Sequence, residues 1–396
     1  MRYLHVISSM DPRGGGPAEG VRQLCLAGTR NGHDVEIATL DRPDAPWAGE
    51  SPCPMHLLGP TRLGTYRYAP RLRPWLRENL PRFDAVVVDG LWQYHGLATW
   101  RATRRTGTPY FVFTHGMLDP WFRREYPLKH LKKWLYWPWS EYRLLRDARG
   151  VLFTCEEERL QARQSFSLYK AREIVVAFGT PGPPADDPAT QCRAFLTAFP
   201  QLYGRRFLLF LGRIHPKKGC DLLLEAFAQV AARDPGLTLV MAGPDPDNLR
   251  RDLLARAPTL DPARVVWTGM LAGAAKWGAF RSAEAFILPS HQENFGIAVA
   301  EALACGTPVL ISNKVNIWRE IEAGGAGIVA PDTIDGTREL LWRWIELGPA
   351  GRSALARRAE AVFRSRFHID RAAQNLLEVL QANTGHQSPP RIQLAT

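Results

Sequence analysis

The sequence predicts an α/β protein built from two doubly wound domains, each a parallel sheet flanked by helices. Three observations carry this. Short apolar runs alternate with helical stretches from one end of the chain to the other, and that alternation breaks once, at Thr180-Pro-Gly-Pro-Pro-Ala-Asp-Asp-Pro188. The length, 396 residues, exceeds one ordinary core, since a domain usually takes roughly 100–200 residues.

In order, the first half reads as strands at Tyr3 to Ser8, Val35 to Leu40, Ala85 to Asp89, Tyr110 to Thr114, Val151 to Thr154 and Ile174 to Ala177. Helices fill several of the gaps, the first over Ala18 to Arg30. After the proline-rich break, strands recur at Phe207 to Leu211, Leu237 to Met241, Val265 to Trp267, Phe286 to Leu288 and Val309 to Ile311. Phe367 to Leu380 has the apolar spacing of an amphipathic helix. These limits give a first domain over 1–182, a second over 190–365, a closing helix over 366–383 and a polar tail over 384–396 expected to be disordered. Ligands of such sheets lie beyond the carboxyl ends of the strands, so the two domains are expected to face a central cleft.

Composition narrows the setting. Hydrophobic residues make up 45% of the chain, ample for two cores, and no apolar run approaches the ~20 residues needed to cross a bilayer. Met1-Arg-Tyr-Leu-His-Val-Ile-Ser8 enters a strand pattern at once, without a signal-peptide apolar region, and a cytoplasmic protein is expected. Cys25, Cys53, Cys155, Cys192, Cys220 and Cys305 show no zinc spacing and are expected to be reduced and mostly buried. A net charge of +11 calls for an anionic partner, which nucleic acid, a membrane surface or a phosphorylated substrate would each satisfy.

Four segments can carry chemistry. Pro289-Ser-His-Gln-Glu-Asn-Phe-Gly296 joins a strand end to a helix expected over Phe295 to Cys305. Glu293 sits before the helix start and Glu301 roughly two turns into it. Backbone N–H groups at such an end can serve hydroxyls or phosphate, though capping and solvation would account for both carboxylates equally well. Leu211-Gly-Arg-Ile-His-Pro-Lys-Lys-Gly219 places Arg213 and Lys218 in a strand-to-helix loop able to clamp a diphosphate, with Gly212 and Gly219 allowing close approach; a solvated basic loop is the alternative. Asp11-Pro-Arg-Gly-Gly-Gly-Pro17 precedes the first helix, where Gly15 and Gly16 can cradle a phosphate or a sugar ring or simply make a turn. His115 follows the strand ending at Thr114 and can donate to a substrate hydroxyl or serve the fold.

Together these pieces resemble glycosyltransferase family 4, the group 1 retaining nucleotide-sugar enzymes with the GT-B fold. Gly212-Arg-Ile-His-Pro-Lys-Lys-Gly219 fits the family's G-R-x-x-x-x-K-G loop. Glu293 and Glu301 fit its E-x7-E pair within P-S-x-x-E-x-F-G, and Ala302-Leu-Ala-Cys-Gly-Thr-Pro-Val309 fits the run that follows. The first-domain matches are looser, and Asn294 stands where the family usually carries a small residue. The resemblance implies that the terminal helix crosses back to the first domain, that Arg213 and Lys218 bind the donor diphosphate, and that Glu293 takes the sugar hydroxyls. It further implies Glu301 on the nucleotide ribose, the amides of Phe295 and Gly296 toward sugar or phosphate, and His115 against the sugar. The glycine loop would approach donor phosphate and acceptor. His291 and Gln292 are candidates for sugar selection. The implied activity is retaining hexosyl transfer from a nucleoside-diphosphate sugar to a glycan or polyprenyl-diphosphate-linked acceptor in polysaccharide synthesis, with no cofactor and no metal. Epimerisation of a nucleotide sugar and non-catalytic binding of one are the alternatives.

Trp121 to Arg143 interleaves lysine and arginine with tryptophan and tyrosine. The composition of this segment, extended over 121–146, suits an anionic membrane surface and a peripheral protein on the inner face; rings buried as helix core are the alternative. Nucleic acid is not expected, because the aromatics do not follow an RRM or OB pattern.

Overall fold

A computed structural model describes residues 1–49 and 51–385. The chain divides into two compact units: Met1–Phe178 joined by the chain from Ile369 onward, and Gly179–His368.

The N-terminal unit holds a seven-stranded parallel sheet of β1 (Arg2–Ile7), β2 (Asp34–Thr39), β3 (Met55–Leu57), β4 (Ala85–Asp89), β5 (Tyr110–Phe113), β6 (Gly150–Phe153) and β7 (Glu173–Val175), in the order β3-β2-β1-β4-β5-β6-β7. Its helices are α1 (Gly16–Arg30), α2 (Leu72–Asn79), α3 (Tyr94–Thr106), α4 (Trp121–Glu125), α5 (Pro127–Tyr136), α6 (Glu141–Asp147) and α7 (Glu156–Ala162). Strands such as Ala85-Val-Val-Val-Asp89 are buried along their whole length, as a sheet covered on both faces requires.

The C-terminal unit repeats the plan. It contains α8 (Pro188–Ala198), β8 (Arg206–Leu211), α9 (Cys220–Val230), β9 (Leu237–Ala242), α10 (Arg250–Ala255), β10 (Val265–Gly269), α11 (Gly273–Ser282) and β11 (Ala285–Leu288). It continues with α12 (Ile297–Ala304), β12 (Val309–Ser312), α13 (Trp318–Gly324), β13 (Gly327–Ala330), α14 (Ile334–Glu346) and α15 (Pro349–Val362), and its strands run β10-β9-β8-β11-β12-β13, all parallel. The order of winding reverses between β1 and β4 in one sheet and between β8 and β11 in the other. Ligand crevices of open parallel sheets form at such reversals.

The last helix, α16 (Ile369–Thr384), belongs to the N-terminal unit and packs on α1. Ile369, Ala372, Ala373, Leu376, Leu377 and Leu380 form its buried stripe at helical spacing. Arg30 pairs with Asp370 at 2.5 Å, and the Asn375 carboxamide oxygen accepts from the Ala177 N–H at 2.9 Å. The tail expected over 384–396 lies, from 386 on, outside the described residues.

Two strands escaped the sequence reading, β3 and β13. Both are short edge strands, and β13 begins in the Gly-rich Gly324-Gly-Ala-Gly327, which hides an apolar run. The helix expected from Phe295 starts two residues later, because Gly296 at φ 72° is its N-cap. None of the six cysteines forms a disulfide; Cys25, Cys155 and Cys220 are buried and the others only half-buried.

Candidate active site

In the C-terminal unit, the loops after β8 and β11 are tied together at the reversal of winding. The Gly212 N–H donates to the Ala242 carbonyl and that of Ile214 to the Pro244 carbonyl, each at 2.9 Å, fixing how the basic loop leaves its strand. His215 Nδ1 accepts from the Lys217 N–H at 3.1 Å and closes a short turn over Pro216–Lys218. The Lys217 carbonyl then accepts from the His291 N–H and the Ser290 hydroxyl, both at 2.9 Å. Gly219, at φ 66°, passes so close to Pro289 that a Cβ would lie 2.1 Å from its carbonyl oxygen. Only glycine fits there.

This stitching brings Lys218 into contact with Glu293, the two side chains being 21% and 20% exposed. Burial, then the nearby Lys217 and Arg213, pulls the Lys218 ammonium down to about 8, while the touching carboxylate favours its charged form. Glu293 is itself fixed by its backbone: its N–H donates to the Lys314 carbonyl and its carbonyl accepts from the Asn316 N–H, each at 2.9 Å. Arg213 is exposed at the start of the basic loop. Phe295 is buried, and Gly296 opens α12, whose first N–H groups point out of the helix end. Glu301 pairs with Lys276 of α11 at 2.7 Å. The sequence reading missed Lys276, the lone charge within Gly273-Ala-Ala-Lys-Trp-Gly278. His291 pairs with Asp332 at 3.1 Å.

In the N-terminal unit, the glycine loop follows β1. Asp11 caps a short turn over Pro12–Gly14, and Gly15, at φ 84°, leads into α1 at Gly16. His115 lies at the end of β5 with φ 48°, a strained value for a non-glycine residue. Two buried carboxylates hold it, and neither was singled out from sequence. Asp89, at the end of β4, accepts from His115 Nε2 at 3.0 Å and pairs with His5 Nδ1 at 2.7 Å. Burial opposes ionisation of Asp89, but His5 and His115 outweigh it and keep the carboxyl below its usual range. Glu158 of α7 accepts from the Thr114 hydroxyl and the Gly116 N–H, both at 2.6 Å, and from the Thr154 N–H at 2.7 Å. The signal for Asp89 was present: an acid closing an otherwise apolar strand at the point where winding reverses.

The basic aromatic segment splits. Trp137 is core, 2% exposed and stacked on Phe166 at 4.2 Å, whereas Trp134 and Trp139 stay exposed. Among the described residues no helix is long and apolar enough to cross a membrane, and no group of three or more His, Cys, Asp or Glu is arranged to hold a metal ion.

Two Rossmann-like domains, the second with a clamped basic loop and an E-x7-E helix start, define a GT-B glycosyltransferase fold. The chain belongs to glycosyltransferase family 4. Residues 199–361 match the family model for group 1 glycosyl transferases, and residues 15–179 match that for the glycosyl transferase 4-like domain. A Frankia alni protein described as D-inositol 3-phosphate glycosyltransferase is 34% identical over 307 residues, covering 69% of this chain and 71% of that one. An Actinosynnema mirum protein of the same description is 36% identical over 179 residues, 43% of this chain, and the match spans only 42% of the relative's own length. The crystal structure of Anabaena HepE in complex with UDP-glucose shares the fold, with a TM-score of 0.73 and 17% identity over 96% of this chain and 100% of that one.

Proposed function

We propose that the chain transfers a hexosyl group, with retention of configuration, from a nucleoside-diphosphate sugar to a hydroxyl of a glycan or polyprenyl-diphosphate-linked acceptor in polysaccharide synthesis. The observation that carries this reading is the loop that sets Lys218 against Glu293 beside the N-terminus of α12. One cation and one carboxylate thereby meet beside a helix start, which supports a role for the first on diphosphate and for the second on sugar hydroxyls. The glycosyltransferase descriptions of its relatives and the UDP-glucose held by HepE support the donor class.

Departure of the nucleoside diphosphate builds negative charge on phosphate oxygens. Arg213, Lys218 and the amides at Phe295, Gly296 and the start of α12 meet that charge, each worth ~3 kcal/mol when preorganised. The incoming hydroxyl passes its proton to the departing phosphate on the same face of the sugar, so the configuration is kept. Glu293 orients the sugar, Glu301 takes the ribose, and Gly212, Gly15 and Gly16 give main-chain room to the donor. His115 donates a hydrogen bond to a sugar hydroxyl. Cationic side chains supply the charge a metal would otherwise bring, so the reaction is proposed to run without one.

The test is release of nucleoside diphosphate from a panel of nucleotide sugars, with a glycan acceptor and a chelating agent present. Lys218→Ala should keep its fold and lose more than about tenfold in turnover. Near-normal turnover in that variant would overturn the assigned role, and interconversion of the donor sugar without acceptor would replace transfer by epimerisation.

A further inference from the structure

The two faces of α5 have different fates. His130 stacks on Phe166 at 4.7 Å, the Lys133 ammonium lies 4.5 Å from the Trp92 ring centre, and Trp137 just beyond the helix is core. At about 100° per residue these three positions share one side of the helix. Leu128, Leu131 and Leu135 fall on the opposite side, and they are 77%, 57% and 62% exposed. Single exposed leucines are ordinary. Among the described residues, however, six of the eleven exposed large hydrophobics lie between Tyr126 and Trp139, so this is a patch rather than scatter.

Charge selects the occupant. Lys129 and Lys132 border the leucine stripe, Arg123 and Arg124 precede it, and no Asp or Glu occurs from Tyr126 to Ser140. A second copy docked on this face would bring lysine against lysine. A nucleic acid would find the basic groups but leave the leucines without a partner. An anionic bilayer accepts both: leucines at the boundary of headgroups and acyl chains, lysines on lipid phosphates.

We propose that the leucine face of α5 is a membrane-docking surface that lays the helix in the plane of an anionic bilayer. Leu128, Leu131 and Leu135 are its apolar anchor, with Lys129 and Lys132 at headgroup depth. The segment binds through leucines more than through the tryptophans its composition first suggests. This inference is independent of sugar transfer, because none of these residues belongs to the proposed donor site.

Co-sedimentation with phosphatidylcholine vesicles, with and without phosphatidylglycerol, tests it on the full chain. Wild type should bind only when phosphatidylglycerol is present. Leu131→Glu with Leu135→Glu should weaken binding by more than about tenfold without changing the circular dichroism spectrum, since both side chains are already in water. Lys129→Glu with Lys132→Glu should weaken it and flatten its dependence on salt. Leu63→Glu, at a site 70% exposed in the same unit, should leave binding intact. Failure of wild type to bind, or normal binding by the leucine variant, would overturn the proposal. A dimer dissociated by the leucine substitutions would assign the face to a second copy instead.

Discussion

At the scale of single residues, the N-terminal unit spends a fully buried carboxylate on holding two histidines. Asp89 is 2% exposed and serves both His5 and His115. Removing the charge of a buried pair costs about 3–5 kcal/mol, and Asp89→Asn should approach the lower figure because the amide keeps its shape. The sign with pH follows from the depressed carboxyl. Its contribution is complete above the unfolded value of about 3.9 and is lost as pH falls through the lower folded value. Urea midpoints of wild type and Asp89→Asn should therefore differ most near neutrality and converge in acid. Equal midpoints at neutral pH would show that the aspartate contributes little. The motif residues Arg213, Lys218, Glu293 and Glu301 were legible because they recur at fixed spacing. Their partnerships were not: Lys218 with Glu293 and Lys276 with Glu301 join positions on different elements, which only the folded backbone brings together.

At the scale of elements, the site depends on how closely two loops pass. Gly219 has no room for a methyl group beside the Pro289 carbonyl. Gly219→Ala should cost about 1–3 kcal/mol through its positive φ and the clash. It should also weaken donor nucleotide binding by about tenfold, because a 1 Å displacement of a positioned group is costly. Calorimetric titration with nucleoside diphosphate reads this directly, and unchanged affinity would mean that the loops are set independently. The long buried strands were plain in the sequence, since a sheet covered on both faces leaves an unbroken apolar run. The edge strands β3 and β13 were not. With one side unpaired and only three or four residues each, they need no such run. Composition likewise described the 121–146 segment without saying which way each ring turns, and helical phase decides that.

At the scale of the whole molecule, the chain divides into two compact units, and the proposed donor residues Arg213, Lys218, Glu293 and Glu301 all belong to the second. In scanning calorimetry a nucleoside diphosphate at 100 Kd should stabilise that unit by ~2.7 kcal/mol and leave the transition of the other in place. A shift confined to the first unit would relocate the donor site. The return of α16 to α1 also has a consequence for biosynthesis. Most of the N-terminal unit leaves the ribosome before the second unit, but the helix that covers its α1 leaves after it. All of Gly179–His368 must be made in between. Until then an apolar flank of the older unit stays open to chaperones, and a stop codon ahead of Ile369 would damage the half of the protein whose other coding sequence it leaves untouched.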